Sequence, residues 1–207
     1  MTRITSACLA LLFTWLAPAA GQTAPVSFSE VYYDAVGSDQ GLLFVELYGA
    51  PGTALDGYVV EGVNGANGDV GPVIALAGAI GGGGFFVVAD EDGGASSVAA
   101  ADQLANFDLQ NGPDSVVLRD ALGAVLDALG YGDFSGGEIF AGEGQPAPDP
   151  PAGESLARRF ANVDTNDNAA DFVALAAPTP GTGPLALPEP GLSLVVGAAL
   201  LGLCIRR

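Results

Sequence analysis

The chain has 207 residues, 24 acidic side chains against six arginines, no lysine and no histidine, for a formal net charge of −18. A polyanion repels phosphate backbones and anionic lipid headgroups, so nucleic acid is excluded as a partner. The missing histidine removes Ser-His and Cys-His nucleophile pairs and the two-histidine zinc motifs.

Residues 1 to 21 carry Arg3, an apolar run from Ala7 to Leu16, and small residues at Ala17, Ala19, Ala20 and Gly21. That order predicts a helical secretory signal peptide cleaved between Ala19 and Gln22. A buried helix is the competing reading, but no capping residue or amphipathic stripe supports it. The two cysteines, Cys8 and Cys204, lie in the terminal apolar segments, so no disulfide or thiolate metal site is expected in the body between them.

The body, residues 22 to 183, is a single expected domain. Short apolar or alternating runs bounded by Gly, Asp, Asn or Pro predict strands at 26–33, 42–48, 57–63, 73–76, 84–89, 115–119, 124–130 and 155–160. Short strands closely spaced and rich in turn residues predict an all-β, immunoglobulin-like antiparallel β-sandwich. In the second strand Leu43, Val45 and Leu47 share one face and Leu42, Phe44, Glu46 and Tyr48 the other, which predicts a central strand covered on both sides. Glu30 and Glu46 interrupt apolar strands, so they are expected either at a sheet edge or paired with Arg158 and Arg159.

The alanine-rich stretch 95–104 is the one expected short helix. Gly81–Gly84 lacks the Lys and Ser of a phosphate loop and reads as a hairpin connection. Asp90, Glu91 and Asp92 read as a solvated hairpin tip. GEGQPAPDPPAG at 142–153 reads as an exposed extended loop.

The candidate ion site is Asp164, Asn166, Asn168 and Asp171, with Asp167 among them, because oxygen ligands on alternate residues of a turn are the arrangement of calcium loops. Ala169 and Leu175 stand where an EF-hand needs Gly and Glu. The competing reading is a turn capped by its own Asp and Asn side chains. Calcium is the only cofactor under consideration, and no catalytic residue is assigned.

Residues 184 to 207 form the expected tail: Pro188, Glu189 and Pro190, then fifteen uncharged residues, Gly191 to Ile205, then Arg206 and Arg207. As a transmembrane helix these fifteen reach about 22 Å against a core of roughly 30 Å, a gap that local thinning can close. The arginines hold that end in the cytoplasm. This order resembles the PEP-CTERM sorting tail of Gram-negative bacteria. The resemblance implies an exosortase-type sorting enzyme as partner and a precursor held in the inner membrane before delivery to the cell surface or extracellular matrix. An ordinary membrane anchor is the alternative.

Between the two handles, FSEVYYD (28–34), LFVELYG (43–49), LDGYVV (55–60), FFVVAD (85–90), DSVVLRDALGAVLDALGYG (114–132), ESLARR (154–159) and DTNDNAADF through PTPG (164–181) follow one another as in the lamin tail domain, which the body resembles over residues 26–181. The resemblance implies a compact sandwich without catalytic residues of its own. Three functions are then expected in order: a non-catalytic structural or adhesive surface module; a calcium-dependent module for extracellular polysaccharide or surface proteins; and a small hydrolase using Glu30, Glu46 or Asp167.

Overall fold

The computed structural model describes residues 26–183. The expected signal peptide, Pro-Glu-Pro motif, membrane segment and terminal arginines lie outside the described residues. Ten strands and one short helix follow in chain order: β1 Ser27–Tyr32, β2 Phe44–Tyr48, β3 Val59–Asn64, β4 Val70–Ala75, β5 Phe85–Asp90, β6 Gln103–Ala105, β7 Asp114–Arg119, β8 Val125–Tyr131, β9 Ser155–Arg158, α1 Asn168–Asp171 and β10 Phe172–Leu175. They form a six-stranded sheet, β10-β9-β1-β2-β5-β6, and a four-stranded sheet, β4-β3-β7-β8. All ladders are antiparallel except β5 with β6. The all-β expectation therefore holds, with almost no helix among the described residues.

Alternation builds the core between the sheets. Phe28, Val31, Val45, Leu47, Phe86 and Val88 of the larger sheet meet Val60, Ile74, Val116, Leu118 and Leu129 of the smaller one. The larger sheet is also covered on its outer face. Phe44, Val87 and Ala89 are buried there beneath Val98, Ala100 and Ala101, which bears out the two-sided burial expected of β2.

That cover is the stretch expected to be helical, and here the expectation is corrected. Residues 98–101 form a turn, and Gln103–Ala105 pair as β6. An isolated helix of ten residues is marginal even when rich in alanine. The strand edge of β5 offers more: the Asp102 backbone N–H donates to Val87 O at 2.9 Å, and Asp102 Oδ2 accepts from Val87 N at 2.9 Å. Strand β10 and helix α1 were not expected at all, and β4 begins at Val70 rather than Val73.

The loop at 142–153 is less exposed than its prolines suggest. Ala147 is buried, donates its N–H to Gly130 O at 2.8 Å and accepts from Gly132 N at 3.2 Å, so it continues the edge of β8. Proline forbids a ladder only at its own nitrogen, and the single alanine between two prolines supplies both groups.

Because the outer face is packed like a core, Phe44→Ala is expected to cost about 3–5 kcal/mol, the range of an inward-facing Phe truncation, rather than the small loss of a surface site. Urea denaturation of the variant beside Phe28→Ala checks this.

Candidate functional site

Arg158, at the end of β9, is 1% exposed and is the one fully buried arginine among the described residues. Strand β9 pairs with β1 only at Glu30 and Val31, so the backbone of Phe28 lies beyond the ladder. Its carbonyl accepts from Arg158 Nε at 2.9 Å and its N–H donates to Asp127 Oδ2 at 2.7 Å. Arg158 Nη2 donates to the same Asp127 oxygen at 2.7 Å, and Nη1 to Asp171 Oδ2 at 2.9 Å and, more weakly, to Asp164 Oδ1 at 3.4 Å. The guanidinium lies 4.6 Å from the centre of the Phe172 ring. Since Asp127 belongs to β8 and Arg158 to β9, this pair ties the two sheets together.

The four loop residues singled out for calcium divide between several tasks. Asp164 Oδ1 also accepts from Asn166 N at 3.0 Å, closing a turn in which Asn166 takes φ 56°. Asp171 receives Thr165 N and Thr165 Oγ1, each at 2.8 Å. Asn168 is fully buried and works as a piece of strand: its Oδ1 accepts from Gly130 N and Glu143 N at 2.9 Å, and its Nδ2 donates to Ala128 O at 2.9 Å. Asp167 Oδ1 takes Gln145 N at 3.2 Å. Asp164 and Asp171 meet on Arg158, whereas Asn168 turns to β8.

A different acidic group converges. One oxygen each from Asp127, Glu143 and Asp164 lies within 4.8 Å of the others, a spacing that could hold a metal ion. Sequence reasoning missed Asp127 and Glu143. Asp127 had a usable signal, an acid in the apolar run AVLDALG, the same signal that drew attention to Glu30 and Glu46; Glu143, in a loop, had none. Burial raises the Asp127 carboxyl above its usual range against the pull of Arg158. Burial also raises Glu143, to about 7, with the Asp127 and Asp164 carboxylates adding to the effect.

Glu30 and Glu46 sit directly opposite each other on β1 and β2, fully buried. They neither reach an edge nor pair with arginine, as had been expected. The segment 179–183 crosses over them instead. Glu30 takes Thr179 N at 2.9 Å, Thr179 Oγ1 at 2.8 Å and Ser155 Oγ at 2.6 Å, and Glu46 takes Gly181 N at 2.6 Å. Arg159, for its part, donates to Ala170 O at 3.0 Å. Asp90 is likewise buried rather than at a solvated tip, accepting from Gly41 N at 2.7 Å and Phe107 N at 3.0 Å, while Asp92 is exposed. A carboxylate offers only acceptors, and irregular backbone beside a strand end supplies the donors.

No family model matches the chain, and no curated protein or solved structure matches it.

Two outcomes are expected. Arg158→Ala leaves Asp127 and Asp171 buried without their cation, a loss of about 3–5 kcal/mol on denaturant unfolding. Glu46 is raised from 4.5 to about 7 by burial, with Glu30 adding and the Gly181 N–H opposing. Its folded pKa exceeds the unfolded one, so the folded state holds the extra proton and stability falls as pH rises through that window. Glu46→Gln keeps an acceptor for Gly181 and stays neutral. It should melt above the wild type at pH 8 and close to it near pH 5, where Glu46 is largely protonated when folded.

Proposed function

We propose that the protein is an exported, non-catalytic component of the surface or extracellular matrix of a Gram-negative bacterium. In this reading an immunoglobulin-like, lamin-tail-like sandwich serves as a structural or adhesive module. A Pro188-Glu189-Pro190 tail ending in Arg206 and Arg207 is sorted by an exosortase-type enzyme from an inner-membrane precursor.

The observation that carries the reading is where the seven lamin-tail-like pieces fall. Residues 28–34 and 43–49 fall on β1 and β2, 55–60 on the turn into β3, 85–90 on β5, 114–132 on the β7–β8 hairpin, 154–159 on β9, and 164–181 on α1, β10 and the segment over Glu30. Each piece thus lies on a strand, a hairpin or a turn of the all-β fold, as the resemblance requires. The deployment of acid supports a structural role as well. Glu30, Asp90, Asp127 and Asp171 are each engaged with backbone N–H groups, and in Glu30 and Glu46, the pair a hydrolase would use, the carboxylates lie beneath residues 179–181. Compact strands that need no disulfide suit a module working outside the cell at high negative charge, where net charge favours solubility.

A second reading, a calcium-dependent module for extracellular polysaccharide or surface proteins, is favoured by the triad of Asp127, Glu143 and Asp164. Calcium takes oxygen donors of this kind.

Mass spectrometry of the protein released by its own cells tests the first reading. The expected product lacks residues 1–21 and 191–207, and replacing Pro188 and Pro190 by alanine retains the tail and the membrane association. A secreted product that keeps Arg206 and Arg207 overturns it.

A further inference from the structure

Two carboxylate oxygens in the neighbourhood of Arg158 have no hydrogen-bond partner within the protein although they are buried: Asp127 Oδ1 and Glu143 Oε2. The other oxygen of Asp127 is doubly engaged, with Phe28 N and Arg158 Nη2. Asp127 is fully inaccessible to solvent, so its orphan oxygen cannot turn to water. Buried acceptors left in this state are rare and costly. Charge adds to the imbalance. Asp127, Asp164 and Asp171 contact the single guanidinium, and Glu143 lies in the field of all three. Four carboxyl groups thus share one arginine in a small volume.

We propose that Asp127, Glu143 and Asp164 bind one hard divalent cation of the calcium class, and that this ion is a structural tie between β8, the 142–145 loop and the 164–171 turn. Two ligands of one calcium ion, each about 2.3 to 2.6 Å away, stand at most about 5 Å apart, and the three oxygens lie within 4.8 Å of one another. Asp127 supplies the deep ligand. The Asp164 side chain, 26% exposed, marks the open side by which an ion enters and where water completes its shell. Arg158 stays in place, because it holds Asp127 through Oδ2 and leaves Oδ1 to the ion. The three segments concerned already meet: Asn168 Oδ1 bridges Gly130 of β8 and Glu143, and Asn168 N donates to Glu143 O at 3.0 Å. A side chain at Gly142 would collide with Asn168 Oδ1 and the Gly130 backbone, so the loop carrying Glu143 is held tightly against β8. This proposal rests on the second reading's claim that an ion binds, and differs in assigning the ion to an internal tie rather than to a ligand-presenting turn.

The exported protein is stripped with a chelator. It is then titrated calorimetrically with calcium chloride and melted in calcium, magnesium or sodium chloride at matched ionic strength. The expected result is one ion per chain and a midpoint several degrees higher in millimolar calcium than in matched sodium chloride, since an ion binding only the folded state stabilises it by mass action. Glu143→Gln should bind at least tenfold more weakly and lose the calcium shift, while Asn166→Gly, which removes a side chain outside the triad and tolerates the φ of 56° there, keeps both. Two results overturn the site and leave the calcium reading standing: a shift that survives in Glu143→Gln, or one that vanishes in Asn166→Gly. No heat and no shift in the wild type defeats both.

Discussion

The structure depends on burying one arginine among carboxylates at the point where the two sheets meet. A guanidinium presents five donors in a fixed plane, and Arg158 spends them on a backbone carbonyl of β1, on Asp127 of β8 and on Asp171 of α1, with its face near Phe172. A hydrophobic pair of the same volume could match the stability of such an ion pair. It could not satisfy Phe28, whose N–H and C=O lie past the end of β9 and would otherwise be orphaned. The pair therefore compensates a defect in the ladder and closes the sandwich at that corner.

The same device recurs without an arginine. Where a strand ends early or a loop crosses a sheet, a buried carboxylate receives the exposed N–H groups: Asp90 those of Gly41 and Phe107, Asp114 that of Gly65, Glu30 and Glu46 those of Thr179 and Gly181. Charge-assisted bonds of this kind are shorter and about twice as strong as neutral ones. A chain with no lysine and no cysteine in its body can thus brace irregular segments with acid. The consequence is that several carboxylates are raised above their usual range by burial.

Strand positions were legible because alternation and turn residues are local signals. β1, β2, β5, β7, β8 and β9 all fall where the apolar runs stand, and even the two-sided burial of β2 follows from Phe44 and Glu46 facing away from Val45 and Leu47. The readings that failed concern partners distant in sequence. Asp90 and Asp92 look alike in DEDGG, yet one is buried by donors 49 and 17 residues away and the other is exposed. The 95–104 stretch has helical composition, but the free edge and outer face of β5 decide its conformation.

The sequence by itself determined an acidic, cysteine-poor body of short strands, because composition and period-two patterning act residue by residue. Tertiary structure alone decided which acids face each other. Asp164 was visible as one residue of a turn, but its convergence with Asp127 and Glu143 spans loops and strands that meet only when the sheets close. The electrostatics of a carboxylate are set by what lies within a few ångströms, and sequence spacing does not encode that distance.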